Sequence, residues 1–304
     1  MRRETRVDAV SELIVVADEV RAALAQGRAV VALETTLIAH GFPAPHGVEV
    51  GLESDAAVRE AGAVPATIGV LDGRVRVGLG PEELERFTPE ARKLGPRDLG
   101  ACAAQGAVGA TTVGGTLAVA RATGIRFLGT GGIGGVHRGY PTPPDVSADL
   151  VALVSARVLV ACSGAKSLLD IPATMEHLET LGIPVLGFRT GTLPLFYSAQ
   201  GGPPLANRVE SVDEAARVAE AHWELGGRGL LLASPPPESI EVEELIEEGV
   251  AEAARQGVTG QGVTPFVLSF LHERSGGRTQ EVNRKLIVAN ARLAADVSVA
   301  FAAP

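Results

Sequence analysis

The chain has 304 residues, of which 46% are hydrophobic and 21% are charged, so it can bury a sizeable core. Its formal net charge of −9 repels polyanions, and we therefore expect no nucleic-acid groove. No uncharged apolar run is long enough to span a bilayer, and Glu12 and Asp18 interrupt the start of the chain, so we expect neither a membrane partner nor a signal peptide.

Short β-branched runs alternate with amphipathic helix patterns along most of the chain. Strands are predicted at 29–33, 66–71, 125–128, 158–161, 184–187 and 229–233. Helices are predicted at 17–25, 48–61, 117–122, 147–155, 171–181, 212–225 and 242–256. Strands separated by helices are typical of βαβ units, in which a mainly parallel sheet is covered on both faces.

Two regions depart from this alternation. Asp72-Gly73 joins the apolar runs 66–71 and 74–77 in the manner of a hairpin, which makes part of the sheet antiparallel. Residues 264–302 show helix patterns and no strand. The sequence therefore predicts an α/β fold, a three-layer α/β/α arrangement with a mixed, mainly parallel central sheet, as a single domain over residues 1–304.

The two cysteines, Cys102 and Cys162, occur in no CxxC motif and no Cys/His cluster. A structural zinc site is therefore not expected. Unpaired cysteines fit a reducing compartment, and we expect a cytoplasmic location.

Lysine is rare in this chain and is therefore informative. Only three of the 27 basic residues are lysines, at 93, 166 and 285, which leaves 27 − 3 = 24 arginines. Arginine cannot lose its proton and so cannot act as a nucleophilic amine. Each lysine is a candidate for a role that arginine cannot fill, although Lys285, beside Arg284, is interpreted as a solvated helix charge.

The sharpest candidate is Lys166, which follows the buried run 158–161 and a turn of small residues. The mouth of a sheet can hold an amine partly desolvated, which frees the neutral nucleophile. Ser163 and Ser167 are candidates to orient it. The alternative is a surface lysine after a strand.

Glu34 ends the apolar run Val30-Leu33, and ligands of parallel sheets bind beyond the carboxyl ends of strands. Its position suits a general acid or base, and the alternative is a helix cap or a solvated loop carboxylate. The glycine-rich segment 129–137 also follows a strand and has the composition of a backbone anion site. The proline-rich residues after it rule out the helix of a dinucleotide fingerprint, which leaves a sugar-phosphate loop or a plain connector.

Several further polar residues are open to two interpretations. Asp145 or Ser147 is predicted to cap the helix that follows, while Asp145 and Asp149 together also suit a hard divalent cation. Lys93 lies in a basic loop that is either an exposed run or a phosphate contact. Thr116 is predicted as a helix N-cap. Asn283 and Asn290 share one helix face, and both are candidates to face the site; five histidines without ligand spacing are interpreted as structural, namely His40, His46, His177, His222 and His272.

Eight strings carry a resemblance to a known family: VALETTLIAHGFPAPHGVE, VPATIGVLDGRVRVGL, KLGPRDL, GATTVGGTLAVA, FLGTGGIGGVHRG, DVSADL, ACSGAKSLLDIPATMEHLETLGIPVLGF and NRKLIVANARLAA. They resemble the pseudouridine-5'-phosphate glycosidases, also called the indigoidine synthase A-like proteins. The likeness runs from about residue 13 to residue 302. The string VANARL departs from the family pattern, because Ala289 stands where a double asparagine is expected.

The resemblance implies reversible cleavage of the C–C glycosidic bond of pseudouridine 5'-phosphate to uracil and ribose 5-phosphate, as a step of pseudouridine catabolism. It implies Lys166 as the nucleophile, Glu34 as the proton donor and Asp145 as the ligand of one Mn²⁺ ion per subunit. It implies a homotrimer with sites near the subunit interfaces. The substrate contacts that it implies are Lys93, Thr112, Val113, Thr130, His137, Ser147, Ala148, Asp149 and Asn290.

A C-glycoside has no heteroatom in its leaving group that an acid can protonate, so a carboxylate pair of the ordinary glycosidase kind would leave a poor carbanion. The hypothesis is that Glu34 protonates the ribose ring oxygen, the sugar opens and the Lys166 amine forms an imine at the anomeric carbon. Two alternatives use the same segments: a Schiff-base aldolase or sugar-phosphate isomerase, and a non-catalytic sugar-phosphate sensor.

Overall fold

The computed structural model describes residues 12–139, 141, 144–166 and 168–303. Eleven strands in these residues form one sheet. They are β1 (Ile14–Val16), β2 (Val30–Glu34), β3 (Val64–Leu71), β4 (Arg74–Val77), β5 (Arg92–Leu94), β6 (Gly109–Thr111), β7 (Phe127–Gly129), β8 (Leu159–Cys162), β9 (Val185–Phe188), β10 (Asn207–Val209) and β11 (Leu230–Ala233).

Helices fill most of the connections between these strands, with a π-helical turn at Leu37–Gly41 and a short 3₁₀ turn at Gly260–Gly262. Among the helices of the described residues, none combines the length and the apolar composition that a membrane crossing requires. The helices are α1 (Asp18–Ala25), α2 (His46–Glu60), α3 (Pro81–Leu84), α4 (Leu99–Ala104), α5 (Val113–Thr123), α6 (Ala148–Ser155), α7 (Ile171–Thr180), α8 (Val212–Glu224), α9 (Glu243–Arg255), α10 (Val263–Arg274) and α11 (Arg278–Ala302).

The sheet is mixed but mainly parallel. Its strand order is β1-β4-β3-β2-β7-β8-β11-β9-β10, and β6 and β5 branch from β3. Only the β3–β4 and β3–β6 pairs are antiparallel among the described strands. The chain moves outward from β2 to β3 on one side and later places β7 on the other side of β2, so the strand order reverses between β2 and β7. Ligand crevices of such sheets lie at this reversal.

Alternate residues of the central strands face the two helix layers. On β2, Val30 and Ala32 belong to one buried apolar cluster, which includes residues of α1, α5 and α6, whereas Val31 and Leu33 belong to a second cluster, which includes residues of α2, α8 and α11. Both faces are apolar because βαβ crossovers cover both, which is why these strands read as continuous hydrophobic runs. The predicted three-layer α/β/α arrangement is confirmed, as is the antiparallel hairpin at Asp72-Gly73.

The sequence prediction located the central elements and missed the short ones. All six predicted strands are present within about two residues of their predicted ends. The missed strands β1, β5, β6 and β10 have three residues each, too few to show a period of two.

The predicted start of α5 was wrong. The helix begins at Val113, and its N-cap is Thr112, whose hydroxyl accepts the Gly115 N–H at 3.2 Å. Thr116 lies inside the helix and donates to Thr111 Oγ1 at 3.0 Å. Gly114 and Gly115 suggested a turn, but they are needed in the helix: a Cβ on Gly115 would lie 2.5 Å from the Leu94 carbonyl oxygen.

Candidate active site

Three neighbouring parallel strands end beside one another and deliver the candidate catalytic groups. β2 ends at Glu34, β7 is followed by Thr130, and β8 leads through Ser163 and Gly164 to Lys166. β7 pairs with both β2 and β8, so these three chain ends meet at the same sheet edge. The Lys166 amide donates to the Ile133 carbonyl at 3.2 Å, which ties the lysine turn to the glycine-rich segment.

Glu34 is buried, with 7% of its surface exposed, and accepts a hydrogen bond from the Thr130 hydroxyl. Burial raises the pKa of Glu34, while the nearby Lys166 charge and the Thr130 bond lower it by less. A carboxyl group in this setting keeps its proton to higher pH than a free glutamate does. Glu34 is therefore suited to donate a proton.

Lys93, on β5, lies close enough to Lys166, Asp149 and Glu34 for their charges to act on it. Burial, followed by repulsion from Lys166, lowers the pKa of Lys93 to about 8. Below about pH 8, Lys93 still carries its charge and can attract an anion.

Asp149 connects two walls of the site. Its Oδ1 accepts the Gly114 N–H at 2.7 Å, and its Oδ2 accepts the Gly134 N–H at 2.9 Å. Gly114 is in the first turn of α5, and Gly134 is in the glycine-rich segment. Ser147 caps α6 by accepting the Asp149 N–H at 3.2 Å, which confirms one of the two predicted caps.

The glycines of segment 129–135 permit close packing. A Cβ on Gly129 would lie 2.6 Å from the Ala291 Cα of α11, and a Cβ on Gly135 would lie 2.4 Å from the Thr174 hydroxyl. The amides of Thr130 and Ile133 donate to the carbonyls of Ala161 and Gly164. These two amides are committed to the protein, so an anion would have to use other donors of the site.

Asp145 and His137 face each other across the polar part of the site, with His137 Nδ1 4.0 Å from Asp145 Oδ2. Burial lowers the pKa of His137, while the Asp145 charge raises it by less. A neutral imidazole of this kind remains a hydrogen-bond donor through one nitrogen.

The donor set suits a largely hydrated hard cation. In the parts of the chain that the structure describes, no group of three or more His, Cys, Asp or Glu side chains is placed to hold a metal ion. Asp149 uses both oxygens on backbone amides, whereas 34% of the Asp145 side chain is exposed and it faces the cavity. One carboxylate with waters and a substrate phosphate is a common arrangement for Mg²⁺ and Mn²⁺, so the residues fit such an ion.

Two cavities meet at the candidate catalytic groups. The polar cavity contains about 1120 Å³ and the apolar cavity about 490 Å³ of space free of protein atoms, open solvent at their mouths included. The apolar cavity is bounded on its far side by Leu37, His40, Gly41, Thr130, Gly131, Gly132, Phe196, Pro265, Leu268, Asn283 and Ile287. The polar cavity is bounded on its far side by Gly95, Arg97, Asp98, Thr112, Val113, Gly134, His137, Pro144, Asp145, Val146, Ser147, Ala148, Asp149 and Gly260. Both are lined by Glu34, Thr36, Lys93, Lys166 and Thr264.

The predicted site residues are largely brought together. Lys166, Glu34 and Lys93 line both cavities, and Thr130 lines the apolar one. Asn290 lines neither: its amide donates to the carbonyl oxygens of Thr130 (2.9 Å) and Gly131 (3.4 Å), and to the Ser163 hydroxyl at 3.1 Å. The remaining predicted residues line the polar cavity, namely Thr112, Val113, His137, Asp145, Ser147, Ala148 and Asp149.

Sequence reasoning missed Arg97, His40, Phe196 and Thr264. Arg97 lies in the quoted string KLGPRDL, so its proximity to Lys93 was a usable signal. His40 was interpreted as structural, but it lies in the cavity wall. Phe196 and Thr264 come from segments without a motif. Ser167, a predicted neighbour of the amine, lies outside the described residues.

Comparison with known proteins identifies the family of this chain. The family model described as "Indigoidine synthase A like protein" matches residues 19–300. This chain belongs to the indigoidine synthase A-like family. The match covers far more than half of the chain, and the family predicted from the eight strings is confirmed.

Relatives within this family carry a common name. A protein of Herpetosiphon aurantiacus named pseudouridine-5'-phosphate glycosidase is 48% identical over 296 residues, which are 95% of this chain and 98% of the relative. A protein of the same name from Caldanaerobacter subterraneus subsp. tengcongensis is 43% identical over 298 residues, 95% of this chain and 97% of the relative.

Solved structures of the family share the fold. The prealnumycin C-glycosynthase AlnA, solved in complex with ribulose 5-phosphate, is 41% identical with a TM-score of 0.86 and covers 96% of this chain and 98% of its own. An indigoidine synthase A-like protein from Thermotoga maritima is 36% identical with a TM-score of 0.87 and covers 100% of this chain and 99% of its own.

Proposed function

We propose that this family member is a pseudouridine-5'-phosphate glycosidase, which reversibly cleaves the C–C glycosidic bond to give uracil and ribose 5-phosphate in pseudouridine catabolism. The observation that carries the proposal is the placement of Glu34 and Lys166 in the walls of both cavities. A substrate that extends from one cavity to the other would have its scissile bond beside an acid and an amine. The names of relatives at 43–48% identity support this substrate class.

The phosphate is assigned to the polar cavity. Lys93, Arg97 and His137 line it, and they offer two cations and a neutral donor. Charge-assisted hydrogen bonds of this kind position a phosphate and neutralise it. The ribose would then lie where the two cavities meet.

The first steps open the sugar. Glu34 donates its proton to the ribose ring oxygen while the neutral Lys166 amine attacks the anomeric carbon C1′. The C1′–O4′ bond breaks with its electron pair on the protonated oxygen, which leaves an open-chain amine adduct. The Glu34 carboxylate takes up the proton that the Lys166 nitrogen loses.

The next steps break the C–C bond. Uracil C5 accepts the proton that Glu34 has taken up, and the adduct nitrogen uses its lone pair to form a C1′=N bond as the C1′–C5 electron pair returns to the uracil ring. Uracil leaves with a hydrogen at C5, and a protonated imine of ring-opened ribose 5-phosphate remains on Lys166. Water hydrolyses the imine, which frees the sugar phosphate and the amine.

A divalent cation, Mn²⁺ in the proposal, would be held by Asp145 and would supply positive charge beside the phosphate. The protein groups nearest to it are Asp145 and His137. Asp149 would keep its two backbone bonds and hold the cavity walls at a fixed separation.

A homotrimer and a cytoplasmic location complete the proposal. α6 presents Val151 (62% exposed) and Val154 (37% exposed), and Val146 beside it is 39% exposed and lines the polar cavity. Such an apolar strip beside a site fits a subunit interface. Sedimentation equilibrium tests the oligomeric state: a trimer is expected, weakened by Val151→Lys, and a monomeric wild type would contradict it.

The proposed cytoplasmic location is supported by the free thiols of Cys102 and Cys162 and by the nucleotide substrate.

Ultraviolet absorbance during incubation with pseudouridine 5'-phosphate tests the activity. Release of uracil, reduced by a chelator and restored by Mn²⁺, is expected. An aldolase, isomerase or sensor would leave this nucleotide intact. Borohydride reduction in the presence of ribose 5-phosphate should attach the sugar to Lys166, and labelling elsewhere or none would contradict the imine.

A further inference from the structure

The apolar cavity has two buried polar atoms that the protein leaves unsatisfied. Asn283 Oδ1 and His40 Nε2 are inaccessible to bulk solvent, and neither has a hydrogen-bond partner among the described residues. Both residues line this cavity. Buried polar atoms normally have hydrogen-bond partners. Two residues of one cavity wall each have a buried atom without a partner, which indicates that a ligand in the cavity supplies the missing hydrogen bonds.

The Asn283 side chain is positioned rigidly. It is 2% exposed and projects from α11, whose neighbours Val282, Leu286 and Ile287 are buried in the core. A carboxamide presents an acceptor and a donor side by side. Its complement is a ligand edge with an N–H next to a carbonyl.

His40 presents an acceptor to the same cavity. Burial lowers the pKa of His40 by more than the Ala91 backbone beside the ring raises it, and Nε2 has no hydrogen-bond partner among the described residues. In the neutral tautomer that carries its proton on Nδ1, Nε2 keeps its lone pair and can accept a hydrogen bond. Burial lowers the pKa of His40, which favours this neutral form.

The rest of the far wall is apolar and partly aromatic. Leu37, Phe196, Leu268 and Ile287 line it. The Phe196 ring packs so closely on the glycine-rich segment that a Cβ on Gly132 would lie 2.7 Å from its Cδ2. A flat ring with polar edges fits such a cavity, because its faces meet hydrocarbon while its edges meet Asn283 and His40.

We propose that the apolar cavity is the base subsite, in which Asn283 and His40 select a ring that carries N–H groups beside carbonyls, the pattern of uracil. This inference rests on the proposed function and adds the residues that read the base. Asn283 would accept from one ring N–H and donate to the adjacent carbonyl. His40 Nε2 would accept from a second N–H.

The reverse reaction on the full-length protein separates base binding from sugar chemistry. Uracil and ribose 5-phosphate are supplied, and the KM for uracil is measured for wild type, Asn283→Leu and His40→Leu. Each variant is expected to raise the KM for uracil by about 10- to 100-fold, the effect of removing a buried hydrogen-bonding partner. Borohydride trapping of ribose 5-phosphate on Lys166 is expected to remain.

His222→Leu is the matched control. His222 also has a buried Nε2 without a partner among the described residues, but it lies on α8 and lines neither cavity. If Asn283→Leu and His40→Leu raise the KM for uracil no more than this control does, the base subsite is refuted while the proposed function stands. If wild type neither cleaves pseudouridine 5'-phosphate nor traps ribose 5-phosphate, the proposed function fails, and this inference fails with it.

A second measurement uses only the wild-type protein, so it still tests the base subsite if a substitution prevents folding. 3-Methyluracil, which lacks one ring N–H, is expected to be used at least about 10-fold less well than uracil by wild type. Equal use of the two bases would overturn the proposal.

Discussion

The polar and apolar cavities share the corner that contains Glu34 and Lys166 but differ in how their polar atoms are used. In the polar cavity, Asp149 and Thr112 are already bonded to backbone groups that hold the walls together. In the apolar cavity, Asn283 and His40 have buried atoms for which no described residue is a partner. A cavity wall whose polar groups are hydrogen-bonded within the protein keeps its shape without a ligand. Buried polar atoms without such partners need hydrogen bonds from a ligand.

The two cavities also differ in their chain origin. The polar cavity is built from strand ends and the short loops after them, in segments such as KLGPRDL and DVSADL. The apolar cavity is closed by the consecutive helices α10 and α11 and by the π-helical turn, which lies far from both helices in the chain. The wall of the polar cavity can be recognised from sequence motifs, because its segments are short and continuous. The wall of the apolar cavity forms only when helices pack against the sheet.

The largest effect is expected at the shared corner. Lys166→Arg keeps the charge but removes the deprotonatable amine, so kcat/KM for pseudouridine 5'-phosphate should fall by about 10⁴-fold or more. The matched control is Lys285→Arg, since Lys285 is an exposed residue paired with Glu238 and Glu281. The control should behave as wild type, and substantial uracil release by Lys166→Arg would refute the imine route.

Glu34→Gln should lower kcat by about 10²- to 10⁴-fold, the usual contribution of a general acid. Since burial raises the pKa of Glu34, the proton-donating form persists to higher pH, and wild-type kcat should decline as pH rises through that raised pKa. The variant should lack this alkaline decline. An unchanged pH profile of kcat in Glu34→Gln would assign the acid to another residue.

Asp145→Asn should act on the polar cavity alone. We expect kcat/KM to fall by about 10- to 100-fold, mainly through a weaker response to Mn²⁺ and a higher KM for the phosphorylated substrate. Activity measured against Mn²⁺ concentration checks this. The KM for uracil should change little. If the variant still responds to Mn²⁺ as wild type does, the assignment of Asp145 to the cation site is wrong.

The smallest effect concerns a buried carboxyl outside both cavities. Burial raises the pKa of Asp55 to about 6, although Thr67 donates to it at 2.8 Å. The folded state therefore binds this proton more tightly than the unfolded state, and the contribution of Asp55 to stability falls as pH rises from about 4 to about 6. Asp55→Asn should raise the free energy of unfolding at pH 7 by about 1 kcal/mol, after discounting for partial solvent screening. Denaturant unfolding of wild type and Asp55→Asn at pH 4 and pH 7 measures this difference in the free energy of unfolding. An equal change at both pH values would contradict the raised pKa of Asp55.

Much of the candidate site was predictable because its residues follow strands. Glu34 and Lys166 each come directly after an apolar run or its turn, and the edge of a parallel sheet gathers such residues. The predicted start of α5 failed because Gly114 and Gly115 suggest a turn, while their close packing against Asp149 and Leu94 requires glycine within a helix.

The interpretations of His40, Asn283 and Asn290 show what could not be predicted from the sequence. His40 has no ligand spacing, and only the packing of the π-helical turn places it in the cavity wall. Asn283 and Asn290 share a helix face, yet Asn290 is bonded to the carbonyl oxygens of Thr130 and Gly131, while Asn283 Oδ1 stays unpaired among the described residues. Sequence spacing gave the face of α11 but not the partner of each amide.

The sequence by itself determined the layered α/β fold, the family and the choice of Glu34 and Lys166 as the candidate catalytic pair, because hydrophobic periodicity and strand-end motifs are local properties of the chain. The tertiary structure alone decided that two cavities meet at Lys166 and which polar atoms are already satisfied. Burial and hydrogen-bond partnership depend on contacts between residues more than a hundred positions apart, such as Asn290 with Thr130. These contacts have no local pattern that can be read before the chain is folded.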